Sequence, residues 1–415
     1  MQIDPSVRLV RSRLYGLHSS RGDQFFIANH LTGKIFGLDE IPYKLFNFLA
    51  QPRKVSEICS HLDNVDQKSM EELLVYLISQ ELIYDAEKPI DETFQVNNQA
   101  EPFFNLPRYY PGQANSIVIA GLPFGKGNPI SDQTLHAPGI LRKFTSAFKL
   151  DLTKENNLNT LADILATEVD LSPICRKIKE SRIKDIGDLF SYANEHADNY
   201  HKKVTRLAGQ LFGAGQKPLF IGGDHSLTFP VLKAANEHFK NVVVIHLDAH
   251  TDTYEHPLDI VFKGNASNHH GNFAALSMEL PNITSVLQFG VRGISSMGML
   301  PISPKQRIFH IKETKKIIRG ELPLDLPPEA SYYITFDIDV LSPEFAPGTA
   351  TPVPNGLSLF ETTALLQRLL AGKKIIGWDF VEYNQTKDLN EVTSQVAIEL
   401  IILFLNFLSA SSNES

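Results

Sequence analysis

A chain of 415 residues exceeds a single small module and leaves room for two or three domains. Its 43% apolar and 21% charged residues exclude wholesale disorder and repeat-fibre compositions, and 39 Lys+Arg against 47 Asp+Glu, a net charge of -8, argues against a broad nucleic-acid or anionic-membrane surface. The two cysteines, Cys59 and Cys175, lie far apart and support neither a disulfide framework nor a zinc–thiolate cluster, as expected of a reducing compartment. The first residues carry no apolar signal core, and the longest apolar run, Leu400–Leu405, is far short of the roughly 20 residues needed to cross a bilayer. A cytoplasmic protein without membrane attachment is expected.

Residues 1–87 read as one unit. Alternation over Val7–Leu17 and Gln24–Ile27, then Lys34–Leu38 after the turn signal Thr32-Gly33, predicts short strands. Helical patterns follow over Pro42–Leu49, Val55–Leu62 and Ser69–Ile83, where Leu73, Leu74, Leu77, Ile78 and Leu82 share a face. The result is a small winged-helix-like α+β domain. Residues 88–115, with four prolines and little periodicity, read as a linker.

From Ser116 to residue 415 apolar strands alternate with helical stretches: Ile117–Ala120, Pro218–Ile221, Val242–Leu247, Ser285–Phe289, Tyr332–Phe336 and Ile375–Phe380. Strands apolar on both faces and joined by long connections predict an α/β class, a three-layer α/β/α fold around a parallel sheet. Val396–Leu408 reads as a packed final helix.

Three strands run into concentrated Asp and His: Gly222-Gly223-Asp224-His225-Ser226, Asp248-Ala249-His250-Thr251-Asp252 and Asp337-Ile338-Asp339. Ligands of open parallel sheets bind beyond the carboxyl ends of the strands, so the three segments can converge. If the backbone stays extended, i, i+2 spacing turns Asp248, His250 and Asp252 one way, and Asp337 and Asp339 likewise. Two imidazoles and four carboxylates in one cleft require cations to balance them. They exceed the ligand set of one tetrahedral zinc and suit two octahedral-leaning ions; an oxygen-rich set without thiolate favours manganese. Two such ions lower the pKa of a shared water, which makes metal-assisted hydrolysis the expected chemistry.

These segments, with Thr335–Pro352, Pro123–Gly127 and His136–Ile140, resemble the signature regions of the ureohydrolases, the arginase and agmatinase family, over roughly Ser116 to the C-terminus. The resemblance implies two Mn2+ per subunit, with His225, Asp248, Asp252 and Asp337 on one ion and Asp248, His250, Asp337 and Asp339 on the other. It implies His270, in Ser267-Asn268-His269-His270-Gly271, as the proton shuttle, with His269 as its competitor. It likewise implies Glu382, after the strand Trp378–Val381, as the carboxylate that grips the guanidinium, and Asp252 as the residue that orients the nucleophilic water. Tyr254 and Asn268 are carried with Glu382 as substrate-facing residues, and a homo-oligomer, trimer or hexamer, is implied. Free-arginine arginases place an Asn at the position of Tyr254 and an Asp at that of Ser295 to hold the α-carboxylate and α-amino groups; both are replaced here.

The first unit resembles, on pattern and a few residues, the small winged-helix domains that bind leader peptides during ribosomal peptide modification. A DNA-binding winged helix is the rival reading, but residues 1–100 hold 10 Lys/Arg against 14 Asp/Glu, and Glu71, Glu72 and Glu81 occupy the would-be recognition helix. The expected function is conversion of arginine to ornithine plus urea in a ribosomally made precursor peptide with a leader, with no nucleic-acid or membrane partner. The alternatives are an agmatinase-like hydrolase of a small guanidino compound and a guanidino-sensing DNA-binding protein.

Overall fold

A computed structural model of the chain describes residues 4–411 except 13–14, 30–34, 62–65, 81, 88–95, 98–99, 111–114, 166, 192–196 and 255–267. The expected Thr32-Gly33 turn, Glu81, Ser267 and half of the expected linker lie outside the described residues. The chain divides into two compact units, Met1–Asn97 and Asn98–Ser415.

In the first unit, β2 (Tyr15–Arg21), β3 (Gln24–Asn29) and β4 (Ile35–Asp39) form an antiparallel sheet in sequence order, and β1 (Arg8–Arg11) pairs with β5 (Arg53–Lys54) and β6 (Ile83–Asp85) in a second one. Three helices, α1 (Glu40–Phe48), α2 (Val55–His61) and α3 (Gln67–Ser79), complete the unit; the short β7 (Val96–Asn97) follows in the chain and belongs to neither of these sheets. Asp66 caps α3 by accepting from the amides of Lys68 and Ser69. That helix stops four residues before the expected end: Ile83 pairs with Arg11 as part of β6, so tertiary pairing overrides the helical period. Ile27, Leu45, Leu49, Ile58, Leu74 and Leu77 are all buried in the unit's own core.

The second unit is built on eight parallel strands: β8 (Ile117–Leu122), β9 (Ile183–Leu189), β10 (Lys217–Gly222), β11 (Val242–Leu247), β12 (Ile283–Val291), β13 (Gln306–His310), β14 (Ser331–Asp337) and β15 (Lys374–Val381). Their order is β13-β12-β11-β14-β15-β10-β8-β9. Alternate residues serve opposite faces. Ile117, Ile119, Val243, Ile245, Tyr332 and Ile334 join a core with helices Ala137–Ala147, Ser172–Lys179, Leu359–Leu370 and Val392–Ala410, while Val118, Val244 and Tyr333 are equally buried on the other side. The three-layer α/β/α architecture follows.

Residues 103–106 depart from the linker expectation. Phe103, Phe104 and Leu106 are inserted in the core of the second unit, and Arg142 stacks on Phe103 while bonding Asp185 and Asp188. Local composition was turn-like, but three large apolar side chains found a place to be buried. The helix Val392–Ala410 is long and apolar enough to span a bilayer, yet most of it is buried, with Leu400, Ile401, Phe404 and Leu405 fully so. It is a core helix.

Candidate active site

β10, β15, β14 and β11 are adjacent in the sheet, and the loops leaving their carboxyl ends carry every expected metal ligand together with Glu382. The first loop, Gly223–Ser226, approaches the backbone after β8 closely enough to exclude any side chain at Gly223, where a Cβ would stand 1.6 Å from the Phe124 carbonyl oxygen. Asp224 then donates its amide to Phe124 and accepts from the Ser226 amide, starting the short 3-10 turn that presents His225.

The expected extended spacing does not hold beyond the strand ends. The His250 amide donates to Asp248 Oδ1 at 2.5 Å, Asp252 has a left-handed φ of 47°, and Asp339 lies in a 3-10 turn whose amide donates to Asp337 Oδ1 at 2.8 Å. Turns closed by the carboxylates themselves gather the side chains. Arg292 holds one of them from outside: its guanidinium donates to the carbonyls of Asp339, Leu341, Val353, Pro354 and Gly290.

Convergence is tight. His225 Nδ1 lies 3.0 Å from Asp252 Oδ2 and 3.2 Å from Oδ2 of both Asp248 and Asp337. His250 Nδ1 lies 3.0 Å from Asp339 Oδ2 and 3.3 Å from Asp248 Oδ1. Asp248 therefore turns one oxygen to each group, the arrangement of a bridging carboxylate. His225 Nδ1 is buried without a hydrogen-bond partner, so a lone pair faces three carboxylate oxygens. Ligands at right angles around an ion with bonds of about 2.1 Å sit about 3 Å apart, which matches the observed separations. The residues fit a pair of divalent cations. Electrostatics agree: burial and then the neighbouring Asp339 and Asp248 push the Asp337 carboxyl well above its usual range. Against the cost of burial, Asp339 and Asp248 hold the His250 imidazole well above its own.

One layer below, Gln288, His246, Thr335 and Asp379 form a row in register across β12, β11, β14 and β15. Gln288 donates to His246 Nδ1 at 2.8 Å, so the His246 proton is on Nε2 and goes to Asp248 Oδ2, also at 2.8 Å. His225 Nε2 meets the Thr335 hydroxyl at 2.8 Å, and Asp379 accepts from the hydroxyls of Thr335, Tyr333 and Thr228. Such supports set imidazole tautomer and carboxylate orientation. Sequence reading missed the row; the i−2 position of His246 relative to Asp248 was its one visible sign.

Glu382 is buried, with a φ of 63°. Its Oε1 accepts from the His225 amide at 2.9 Å and lies 3.6 Å from His270 Nδ1. Despite burial, that contact favours charge on both partners: Glu382 is held below the usual carboxyl range and His270 above the usual imidazole range. His269 is fully buried, its Nδ1 accepting from the Gly271 amide, so His270 is the histidine that faces Glu382. Tyr254 is half-buried, with its amide on the Gly271 carbonyl and its phenol pushed up by burial. Asn268 is buried beside the loop that carries His225. Its amide nitrogen donates to the Ser226 carbonyl at 2.7 Å and lies 3.3 Å from His201 Nδ1, while its Oδ1 is buried without a hydrogen-bond partner.

Strand-end carboxylates and imidazoles arranged to share two cations, with an anionic seat beside them, define a metal-assisted hydrolase. The chain belongs to the arginase family, whose profile matches residues 115–406, and members of that family hydrolyse C–N bonds of guanidino groups in linear amidines. An agmatinase from Cronobacter sakazakii is 32% identical over 323 residues, covering 75% of this chain and 94% of that one. An agmatinase from Escherichia coli O1:K1 / APEC is 30% identical over 324 residues with the same coverage. The proclavaminate amidino hydrolase from Streptomyces clavuligerus shares 25% identity and a TM-score of 0.58, covering 75% of this chain and 97% of its own. The first unit lies outside the family match.

Proposed function

We propose that the chain holds two manganese ions and hydrolyses the guanidino group of arginine side chains within a leader-bearing precursor peptide, leaving ornithine and releasing urea. His225, Asp248, Asp252 and Asp337 would hold one ion, and Asp248, His250, Asp337 and Asp339 the other. The pair supplies a water of lowered pKa as the nucleophile. Glu382 receives the planar guanidinium through paired hydrogen bonds and fixes its carbon toward that water. Asp252 orients the water. As the bond between the guanidino carbon and the side-chain nitrogen breaks, His270 gives that nitrogen a proton, so it leaves as an amine.

The observation carrying the peptide reading is the missing clamp for a free amino acid. Tyr254 stands where an Asn would hold an α-carboxylate, and exposed Ser295 stands where an Asp would hold an α-amino group. Around Ser295 the loop exposes Ile294, Met297 and Leu300, an apolar surface unsuited to a zwitterion but suited to neighbouring peptide residues. Residues 1–87 would capture the leader as an added strand on the edge of β2 or β4. Exposed Leu17, Ile35, Val75 and Ile78 offer apolar contacts in the same unit.

A second reading, an agmatinase-like hydrolase of a small guanidino compound, is favoured by the agmatinase relatives and by the Asp252-Thr253-Tyr254 run. Incubation of manganese-loaded protein with agmatine, free arginine and an arginine-containing precursor decides between them. Loss of one cyanamide mass per arginine in the precursor alone supports the peptide; fast urea release from agmatine with the peptide untouched sinks it.

A further inference from the structure

Glu382 is pinned at both ends, and one of its partners comes from the far end of the unit. Asn128, on the loop after β8, donates from Nδ2 to Glu382 Oε2 at 3.0 Å, and both side chains are almost fully buried. The amide orientation is settled by its other end: Asn128 Oδ1 accepts from the backbone amides of Ile130 and Ser131, so the NH2 group must face the carboxylate. The preceding residue ties the loop to the rest of the site. The Gly127 amide donates to Asp224 Oδ2 at 2.8 Å, and its carbonyl accepts from the His270 amide at 3.1 Å. A Cβ on Gly127 would lie 2.4 Å from Ser226 Oγ, so a side chain would displace these contacts. Ser131 adds a second staple, accepting from Asn384 Nδ2 at 3.0 Å.

We infer that Asn128 is a positioning residue for guanidinium recognition: with the His225 amide and His270 on the opposite oxygen, it sets the plane in which the Glu382 carboxylate meets the substrate. The inference rests on the reading of Glu382 as the guanidinium seat. The Glu382 backbone is held in the left-handed region, a strained conformation that surrounding contacts must maintain, and the side-chain partners on both oxygens fix its carboxylate. The loop that carries Asn128 also holds the amide of His270, so one dipeptide, Gly127-Asn128, sets the spacing between the anionic seat and the proton donor.

The test compares Asn128→Ala, Asn128→Asp and Glu382→Gln in the manganese-loaded full chain, with agmatine and an arginyl peptide as substrates and methylguanidine as competitive inhibitor. Asn128→Asp keeps the oxygen that closes the turn onto Ile130 and Ser131 but replaces the donor by a second carboxylate. A role confined to the loop is therefore preserved in it, whereas a role toward Glu382 is not. The expected result is a rise in KM and in the inhibition constant on the order of tenfold for Asn128→Ala, and on the order of a hundredfold for Asn128→Asp, with kcat, manganese content and melting temperature changed far less. Wild-type constants in Asn128→Asp, or a larger loss in Asn128→Ala than in Asn128→Asp, overturn the positioning role alone. An unchanged inhibition constant in Glu382→Gln overturns the seat itself, and the positioning role with it.

Discussion

The Thr335 hydroxyl donates to Asp379 across 2.6 Å while standing 2.8 Å from His225 Nε2, so a buried carboxylate governs the imidazole through one hydroxyl. With the His225 proton committed to Thr335, the Nδ1 lone pair is aimed at the carboxylate cluster. Thr335→Val keeps the shape and removes the link. Manganese affinity should fall by about 10- to 100-fold, read by titration calorimetry, with the fold retained. Unchanged affinity would show that ring packing against Phe273 alone aligns the histidine.

Asp337→Asn and His250→Ala each remove a charge or donor from the shared cluster. Urea production should disappear and metal content per chain should drop, while circular dichroism stays that of the parent. Near-parental activity in either variant would refute a two-ion site.

His201 links pH to stability. Burial lowers its pKa to about 4, whereas an unfolded histidine titrates near 6.5. The unfolded chain therefore takes up the proton first, and this residue should subtract stability as pH falls from about 6.5 to about 4, by about 3 kcal/mol in all. Thermal unfolding of metal-free protein across that range should be less pH-dependent in His201→Gln than in the parent. Parallel curves would count against the assignment.

The first unit has its own core, so a chain beginning at Asn98 can be examined. Turnover of a leader-bearing peptide should fall at least about tenfold, because capture no longer raises the local concentration of the target arginine, while a short leaderless peptide should be nearly unaffected. Equal losses for both would assign the unit a structural role.

Six of the eight parallel strands were legible because they are apolar on both faces, and the ligands because Asp and His gather where some of those strands end. β9 and β13 escaped notice because Lys184, Asp185, Asp188, Gln306 and Arg307 interrupt their apolar runs. How the ligands converge was not legible. It depends on Asp252 in a left-handed conformation and on Asp339 in a tight turn, neither of which i, i+2 spacing conveys. The supports were hidden for another reason. Gln288, His246, Thr335 and Asp379 lie in four strands spread over more than a hundred residues, and only the strand order makes them neighbours. The backbone contact of Asn268 was equally hidden, because a polar residue beside a proposed catalytic histidine reads the same whether or not its amide holds a carbonyl.

The strand order also sets a timetable for the nascent chain. β8, β9 and β10 can pair with one another as soon as they emerge, and so can β11, β12 and β13, but in the finished sheet the two groups are joined only through β14 and β15, the last strands to be made. His225 belongs to one group and Asp248, His250 and Asp252 to the other, so these side chains cannot converge until the closing pair lies between the two groups. A chain ending before β14 would therefore carry two half-sheets, with the imidazole of one and the carboxylates of the other still apart.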